Sequence, residues 1–509
     1  MENSSVDVNS VVVKRYSKSS VSNFHTGISQ VDNSLDFPWG FNNQTAVNNA
    51  KSLIQSGISF MNQFIQAWAA PDIWPDPTNP DPTTWDWNLL DSQMQKILDS
   101  GATPVISLAE APWWMKGQLQ ADGTTKLIPD VNGEWTTHIY TNPFVDYRVI
   151  TYPAGYVSPD SYSCRILDNQ IGNWTHLVME IAKRYMVAPY NVRYFQVWNE
   201  LKGYYNPTLN RWDYENNPGD PSGYNAQSGY TYMYNQVYDA VMSAAASLGI
   251  PANSFYIGGP YVCMDTWPTP IAGGWPSQEP NLTTKAYGTY DRRPIDVVKY
   301  WLQNKNGAGF ITIDGSIFNK DNVELTDSFT ASEKFADVTK WIRSLDNTVY
   351  PGARTLPIWW AEWYAWPYTD FSDAHNNAVK TYAMVKLLKQ GCAVPLEWGA
   401  SISTSGNDFG LWTPTNAAGG GQALPWYNSY KALHDYFGAG TPLCIAIVSN
   451  PSSIEVLSSK TRTMLINKTP NTYKVYIKIY KCPFMLPFWW NTIKMTIALS
   501  PYEVKIVSY

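Results

Sequence analysis

Short apolar runs alternate with amphipathic stretches along most of the chain, from about residue 22 to residue 437. The runs are rich in β-branched and aromatic residues, which is typical of buried strands. The stretches between them place apolar residues three and four positions apart, as Leu90, Met94 and Ile97 do, and this spacing predicts helices. Eight strands are predicted, at residues 24–31, 58–68, 104–108, 192–197, 255–258, 310–313, 357–360 and 393–398. This alternation predicts a (β/α)8 TIM barrel over residues 21–437.

The pattern changes after residue 437. Short strands separated by turns follow one another to the end of the chain, and Val475, Ile477 and Ile479 alternate with polar residues. Strict alternation indicates strands with one buried face, so residues 438–509 are predicted to form an accessory all-β sandwich. An apolar stretch at residues 10–15 reads as one more strand, and we expect the segment 1–20 to join that sandwich.

The amino-acid composition indicates which class of molecule the protein binds. Charged residues make up 15% of the chain, against about 25% in an average soluble protein, and aromatic residues also reach 15%. Sugars stack their C–H faces on aromatic rings and pair their hydroxyls with amides, so the composition suits an oligosaccharide or polysaccharide substrate. The net charge of −6 argues against a nucleic-acid partner, which would require a basic face.

Several site classes are absent from the sequence. The five cysteines (Cys164, Cys263, Cys392, Cys444 and Cys482) include no CxxC pair, and their odd number leaves at least one thiol unpaired within the chain. We find no Gly-rich phosphate loop, no GxSxG motif and no metal-ligand spacing, so no cofactor and no metal are predicted. No apolar run is long enough to cross a membrane, and the first residues lack the apolar stretch of a signal peptide, so no compartment is assigned.

Two glutamates in Trp-rich surroundings carry the functional prediction. Glu200 ends the run from residue 194 to 200, and Glu362 lies in the run from 358 to 366. A carboxylate at the end of a buried strand is costly to desolvate, so such residues are candidates for catalysis. Strand ends meet at the mouth of a barrel, where two carboxyl groups about 5–5.5 Å apart could act as acid/base and nucleophile of a retaining glycosidase. Asn199 could bind the sugar 2-hydroxyl.

Other residues at predicted strand ends are candidate substrate contacts, and several of them fit a structural role equally well. Glu110 fits either a substrate contact or an ion pair that anchors a loop, and Asp314 fits a structural or a steering role. His25 fits a packed histidine as well as a substrate contact. Aromatic side chains could line the cleft and supply walls of low polarity. The predicted substrate-binding residues are Asn199, Glu110, Trp113, Tyr261, Asp314, Trp363, Trp398 and His25.

These motifs resemble clan A of the glycoside hydrolases, and within it family 39, the β-xylosidase and α-L-iduronidase group. The resemblance rests on the Asn199-Glu200 pair after strand four, on Glu362 after strand seven, and on the segments 103–115 and 499–504. It implies a barrel with a β-sandwich, and it implies that Glu200 is the acid/base, Glu362 the nucleophile and Asn199 the 2-hydroxyl partner. The chain departs from the family where Leu201-Lys202-Gly203 follows the acid and where Asp314 replaces a His or Tyr.

The predicted function is therefore a retaining glycosidase of the β-xylosidase or β-glycosidase type. An endo-β-glycanase that uses the same two carboxylates is one alternative. The choice between these two activities depends on loops whose conformation cannot be predicted from the sequence. A carbohydrate-binding protein that kept the barrel without turnover is the second alternative. It predicts the loss of one carboxylate, whereas both are present.

Overall fold

The computed structural model describes most of the chain. The described residues are 8–36, 42–65, 72–109, 111–116, 118–119, 125–129, 135–139, 165–206, 209–219, 228–268, 275–367, 372–401, 403–404, 407–408, 410–480 and 492–509. Glu110, Cys164 and Cys482 lie outside them, and Cys263, Cys392 and Cys444 are free thiols.

A closed barrel of eight parallel strands forms the centre of the fold, which confirms the predicted class. The barrel strands are β2 (Gly27–Ile28), β3 (Phe60–Phe64), β4 (Thr103–Leu108), β5 (Tyr194–Val197), β6 (Tyr256–Cys263), β7 (Phe310–Ser316), β8 (Ile358–Tyr364) and β9 (Cys392–Glu397). They pair in chain order, and β9 closes the barrel on β2. Eight strands give an interior that side chains can fill.

Aromatic side chains fill the amino-terminal end of the barrel. Phe60, Phe310 and Trp359 pack there with Leu396, and the rings of Phe310 and Trp359 stack 4.3 Å apart. Gly27 faces this layer, because a Cβ built on it would lie 2.6 Å from Leu396 Cδ2. The bulk of this layer closes one end of the barrel, so polar groups concentrate at the other end, where the strands finish.

Helices surround the barrel and bury one face each against the strands. The helices are α1 (Val31–Ser34), α2 (Gln44–Gly57), α3 (Asn88–Asp99), α4 (Ile171–Tyr185), α5 (Tyr230–Ser247), α6 (Arg292–Asn304), α7 (Ser328–Ala331), α8 (Glu333–Ser344), α9 (Asp373–Lys389) and α10 (Pro425–Phe437). In α3 the stripe of Leu90, Met94 and Ile97 is buried as its spacing predicts. Among the described residues, no helix is both long and apolar enough to span a bilayer.

Two further sheets form the predicted sandwich. One contains β1 (Val8–Val21), β10 (Pro442–Val448), β13 (Tyr473–Tyr480) and β14 (Thr492–Leu499), in the order β10-β1-β13-β14. The other contains β11 (Ile454–Ser458), β12 (Arg462–Asn467) and β15 (Val504–Ser508), in the order β11-β12-β15. Val11 and Ile477 of the first sheet share a core with Val456 and Leu465 of the second. The strand near the amino terminus therefore lies inside the sandwich, as expected.

The opposite face of the smaller sheet packs on the barrel. Leu457, Met464 and Ile466 belong to the same buried cluster as the barrel and its helices. Small sheets also form in the segments that follow barrel strands. One is the hairpin of Tyr205–Asn206 with Arg211–Trp212 after β5. These additions lie beside the carboxyl ends of the strands, which is the active-site face of such barrels.

Candidate active site

Glu200 follows strand β5 on a strained turn. Trp198, Glu200 and Leu201 have φ values of 68°, 47° and 53°, the left-handed region that side chains with a Cβ avoid. Trp198 Nε1 donates to the carbonyl of Lys202 at 2.9 Å and holds the turn closed. Strain of this kind is retained where the surrounding structure enforces it, and it clusters at functional sites. The turn presents Glu200 at the carboxyl end of the barrel.

Glu362 lies within strand β8 and is only 8% exposed. Its Oε1 accepts a hydrogen bond from Gln30 Nε2 at 3.0 Å, and the hydroxyl of Tyr261 donates to the same carboxyl group. Gln30 is itself positioned by Asn62, whose Oδ1 accepts from the Gln30 N–H at 2.6 Å. Gln30 and Tyr261 also have left-handed φ values, of 52° and 54°. Residues from three barrel strands, together with Gln30 two residues after the end of β2, therefore fix the orientation of Glu362.

Asp314 lies between the two glutamates. It is 3% exposed on strand β7, its backbone pairs in register with Glu362, and its carboxyl group hydrogen-bonds to Glu200. Cys263, at the end of β6, also donates a hydrogen bond to Glu200. The structure therefore gathers three carboxyl groups, from Glu200, Asp314 and Glu362, at one end of the barrel.

Lys202 adds a positive charge to this group. Its Nζ lies 2.8 Å from Glu200 Oε2, in an ion pair whose two side chains are about one quarter exposed. Burial acts to raise the pKa of Glu200, but the charge of Lys202 and hydrogen bonds with Asp314, Lys202 and Cys263 together outweigh burial and lower that pKa to about 2. The ion pair with Lys202 thus favours the carboxylate form of Glu200.

The other two carboxyl groups are shifted in the opposite direction. Burial, and then repulsion from Glu200, raise the pKa of Glu362 to about 7, against partial compensation by Lys202, Tyr261 and Gln30. Burial and repulsion from both glutamates raise the pKa of Asp314 well above its ordinary value. Both shifts favour the neutral form of these two carboxyl groups. The three groups titrate as one coupled system.

Part of this cluster has a donor set that could hold a metal ion. One ligand atom each of Glu200, Cys263 and Asp314 lie within 4.8 Å of one another, and together they offer a thiol and two carboxylates. Such a mixed set fits a borderline-soft divalent cation. The ammonium of Lys202 already bonds to Glu200, so a cation would have to compete with that charge.

An aromatic cluster borders the carboxyl groups. Tyr364, Trp366 and Trp398 are partly exposed, and their ring centroids lie 5.0–5.7 Å apart. Tyr364 ends strand β8, two residues after Glu362, and its hydroxyl hydrogen-bonds to Ser316, at the end of the strand that carries Asp314. Partly exposed rings next to carboxyl groups can receive the apolar face of a sugar. Trp398, which the sequence suggests as a sugar platform, belongs to this cluster, and that role stays a prediction.

Two of the predicted substrate contacts lie away from the carboxyl groups. Trp363 is fully buried on the outside of the barrel, between Phe335 of α8 and Trp426 of α10. Side chains alternate along a strand, so Trp363 faces away from the side that Glu362 occupies. His25 precedes β2 at the amino-terminal end of the barrel, with its ring 5.3 Å from Phe60, and so lies opposite the strand ends.

Three of the remaining predicted residues lie beside the two glutamates, and the side chains of the other two lie outside the described part of the structure. Asn199 is buried beside Glu200, Tyr261 contacts Glu362 and Asp314 contacts Glu200. Trp113 begins a 3-10 turn at Trp113–Met115, and its side chain lies outside the described part of the structure, as does Glu110.

Sequence reasoning missed three residues that contact the catalytic candidates: Gln30, Lys202 and Cys263. Lys202 lies two positions after Glu200, and the sequence marks it only as a departure from a family pattern. Cys263 is two positions after Tyr261 on one strand, a spacing that signals a shared face. Gln30 follows a strand of only two residues, so no local pattern marked it.

Comparison with known proteins identifies the fold. No family model matches the chain, and no curated protein matches it significantly. It is similar to a glucosidase from Croceicoccus marinus, at 10% identity and a TM-score of 0.54 over 98% of both chains. A conserved exported protein from Bacteroides fragilis gives 10% identity and 0.58 over 98% of this chain and 99% of its own. CelM2, a bifunctional glucanase-xylanase from a metagenome library, gives 11% and 0.53 over 98% of both. These proteins share the fold over nearly the whole length, and the assignment to family 39 stays a prediction.

Proposed function

We propose that this protein is a retaining glycoside hydrolase that cleaves β-linked sugars through a covalent intermediate. The observation that carries the proposal is the pair of carboxyl groups of Glu200 and Glu362, presented by strands β5 and β8 around Asp314 at the carboxyl end of the barrel. Two carboxyl groups on either side of a bound sugar are the essential machinery of this reaction. The fold shared with a glucosidase and a glucanase-xylanase supports the same chemistry.

In the first step Glu362 attacks the anomeric carbon. Gln30 and Tyr261 hold its carboxylate in one orientation, so its attacking oxygen needs little rearrangement. Glu200 delivers a proton to the glycosidic oxygen, which leaves with the electron pair of the broken C–O bond. Asn199, buried beside Glu200, serves the 2-hydroxyl of the sugar.

In the second step water replaces the leaving group. Glu200, now a carboxylate, takes a proton from the water, whose oxygen bonds to the anomeric carbon and releases Glu362. The charge of Lys202 stabilises Glu200 in this basic form. The ion pair therefore favours the hydrolytic half of the cycle, and it makes protonation of Glu200 the demanding part of the first half.

The Tyr364, Trp366 and Trp398 cluster extends the site beyond the reacting bond. Several rings side by side suit more than one sugar unit, so an endo-acting enzyme on β-linked polysaccharides is the alternative within this chemistry. A β-xylosidase or β-glycosidase would instead bind one terminal unit.

One observation favours a second candidate, carbohydrate binding without turnover. A Glu200 held as a carboxylate by Lys202 is a poor acid, yet its oxygens remain good acceptors for sugar hydroxyls. A binding protein would keep the aromatic cluster and the carboxylates and need no proton on Glu200.

A substrate panel distinguishes the two candidates. Purified wild type is tested on aryl β-xyloside, β-glucoside, β-galactoside and β-mannoside and on β-linked polysaccharides, beside Glu362→Gln and the helix-surface control Glu180→Gln. We expect turnover that Glu362→Gln abolishes and Glu180→Gln retains, since Glu180 lies on α4, where it pairs with Lys183. Sugar binding by calorimetry without turnover of any substrate would establish the binding protein instead.

A further inference from the structure

The outer face of the larger sandwich sheet is basic. Val475, Ile477 and Ile479 of β13 lie in the sandwich core, so the residues that alternate with them point away from it. Residues that pair in register on neighbouring strands share a face, which extends this outward side to β1 and β14. We call the outward residues the lysine face: Lys14, Lys474, Lys478, Lys494, Tyr476 and Tyr480. All six side chains are at least partly exposed, so a partner in solution can reach them.

The strand register places two of these charges next to each other. Lys478 of β13 lies directly opposite Lys494 of β14. Lys14 of β1 pairs in register with Tyr480, two positions further along β13. Like charges directly opposite each other destabilise a sheet, so the fold accepts a repulsion that a neutral residue at either position would avoid. Residues that cost stability in this way are commonly retained for function.

No carboxylate offsets these charges within the described part of the chain. None of the four lysines of the face forms an ion pair there, whereas Lys51 pairs with Asp99 and Lys431 pairs with Asp435. The chain as a whole has a net charge of −6, so its composition does not account for unpaired lysines gathered on one face. The complement that such a face lacks is an anionic partner.

The two tyrosines indicate what else the partner carries. Tyr476 and Tyr480 lie on either side of Lys478, each about 7 Å from it along the strand. The Nζ of Lys478 lies 4.8 Å from the centroid of the Tyr480 ring. An ammonium group between two half-exposed rings offers a cation to an acidic group and an apolar surface to a sugar ring. Four strands about 4.8 Å apart spread these groups over an open surface, which suits a polymer better than a small molecule.

We propose that the lysine face binds a polysaccharide that carries carboxylate groups. This inference goes beyond the proposed function, and only the choice of a sugar polymer over other polyanions rests on that function. The net negative charge of the rest of the chain repels a polyanion, so binding is confined to this face. Attachment there would raise the concentration of polysaccharide near the mouth of the barrel.

The binding test uses a polymer that the proposed reaction does not cleave. Polygalacturonate is α-linked and carries one carboxylate per sugar, and its matched control is the same polymer with the carboxyl groups reduced to alcohols. The full-length wild type and Glu362→Gln are run in native gels that contain either polymer. We expect polygalacturonate to retard both proteins equally and the reduced polymer to retard neither. The retardation should disappear as salt rises, since exposed charges are screened.

Two double variants test the position of the charges. Lys478→Gln with Lys494→Gln should weaken binding of polygalacturonate by about 10-fold, because each exposed ion pair contributes up to about five-fold. Lys478→Arg with Lys494→Arg keeps both charges and should bind like the wild type. The control combines Lys183→Gln with Lys431→Gln, which changes the net charge equally on α4 and α10 and should also bind like the wild type.

Thermal unfolding separates this role from a structural one. The glutamine pair on the lysine face relieves the repulsion between β13 and β14, so its unfolding midpoint should equal or exceed that of the wild type. A lower midpoint with unchanged binding would show that the two lysines serve the fold, and it would overturn the inference.

Three binding outcomes would also overturn it. They are equal retardation by the reduced polymer, no retardation by either polymer, and binding found only with phosphatidylglycerol vesicles or with duplex DNA. The proposed reaction fails separately. A wild type that binds polygalacturonate through these lysines but cleaves no glycoside would support the lysine face and contradict the glycosidase, whereas an active glycosidase that polygalacturonate does not retard would contradict the lysine face alone.

Discussion

The Nζ of Lys202 lies 2.8 Å from a carboxylate oxygen of Glu200, the residue that must donate a proton in the proposed reaction. The ion pair stabilises the deprotonated form of an acid catalyst, which opposes the first chemical step. Asp314 adds a second carboxyl group, with an oxygen within 4.8 Å of one of Glu200. The three residues together therefore set the balance between the acidic and the basic form of Glu200.

Removing the charge of Lys202 should move the whole pH profile. In Lys202→Met, the pKa of Glu200 loses its main lowering influence, and the pKa of Glu362 loses one as well. Both limbs of kcat/KM against pH are expected to shift to higher pH, by roughly one unit. Lys183→Met, which removes a surface lysine on α4, is the control. An unchanged profile in Lys202→Met would show that the ion pair has no part in the titration.

The acid limb of kcat/KM should lie near neutral pH. Glu362 must be a carboxylate to attack, and its pKa in the free protein is raised to about 7, so activity is expected to rise with pH through that value. Gln30→Met and Tyr261→Phe each remove a hydrogen bond that stabilises the carboxylate, so each should move the limb to higher pH. A limb near pH 4.5 in the wild type, unmoved in both variants, would contradict the described environment of Glu362.

Glu362→Gln should stabilise the protein, and more so at alkaline pH. The folded-state pKa of Glu362 lies above its unfolded value of 4.5, so the folded protein binds the extra proton between pH 4.5 and about 7. The wild type consequently loses stability relative to the variant as pH rises through that window, by roughly 2–3 kcal/mol in total. Denaturant unfolding at pH 4.5 and pH 8 measures the difference. An equal effect of the substitution at both pH values would argue against the raised pKa.

A second buried ion pair is expected to matter for folding and not for chemistry. Lys380 Nζ lies 2.7 Å from Glu397 Oε1 with both side chains fully buried, and Trp426 Nε1 also donates to Glu397. Lys380→Met leaves a buried carboxyl group without its cation, so we expect a loss of about 3–5 kcal/mol in the free energy of unfolding.

The double variant provides the matched control for this pair. Lys380→Met combined with Glu397→Gln removes both charges and should recover much of the lost stability. A double variant as unstable as the sum of the two single variants would show that the side chains contribute independently. Urea unfolding of the four proteins completes the cycle.

Much of the barrel could be predicted from sequence because its strands are short apolar runs between amphipathic helices. All eight predicted runs overlap barrel strands, although β2 contains only Gly27–Ile28 and β6 extends to Cys263. The two glutamates are recognisable in the sequence because each carboxylate comes directly after an apolar run, although Glu362 lies within β8 rather than beyond its end. That part of the prediction therefore rests on the local pattern of apolar residues, which also indicates the position of each residue along the barrel axis.

The sequence-based expectations differ from the structure where a contact depends on the direction in which a side chain points, or on residues that are far apart in the sequence. Trp363 was predicted in the cleft because it adjoins Glu362 in sequence, but the alternation of a strand turns it to the helices. Gln30 reaches Glu362 across 332 positions, and Cys263 reaches Glu200 from another strand. Such contacts depend on barrel closure, which local patterns do not encode.

Identification of the nucleophile tests the central claim most directly. The protein is incubated with dinitrophenyl 2-deoxy-2-fluoro-β-glycosides of the panel sugars, which form the intermediate quickly and release it slowly, and the labelled peptide is sequenced by mass spectrometry. We predict a stoichiometric adduct on Glu362. An adduct on Glu200 or Asp314, or rapid turnover of these substrates' parent glycosides with no adduct at all, would contradict the account.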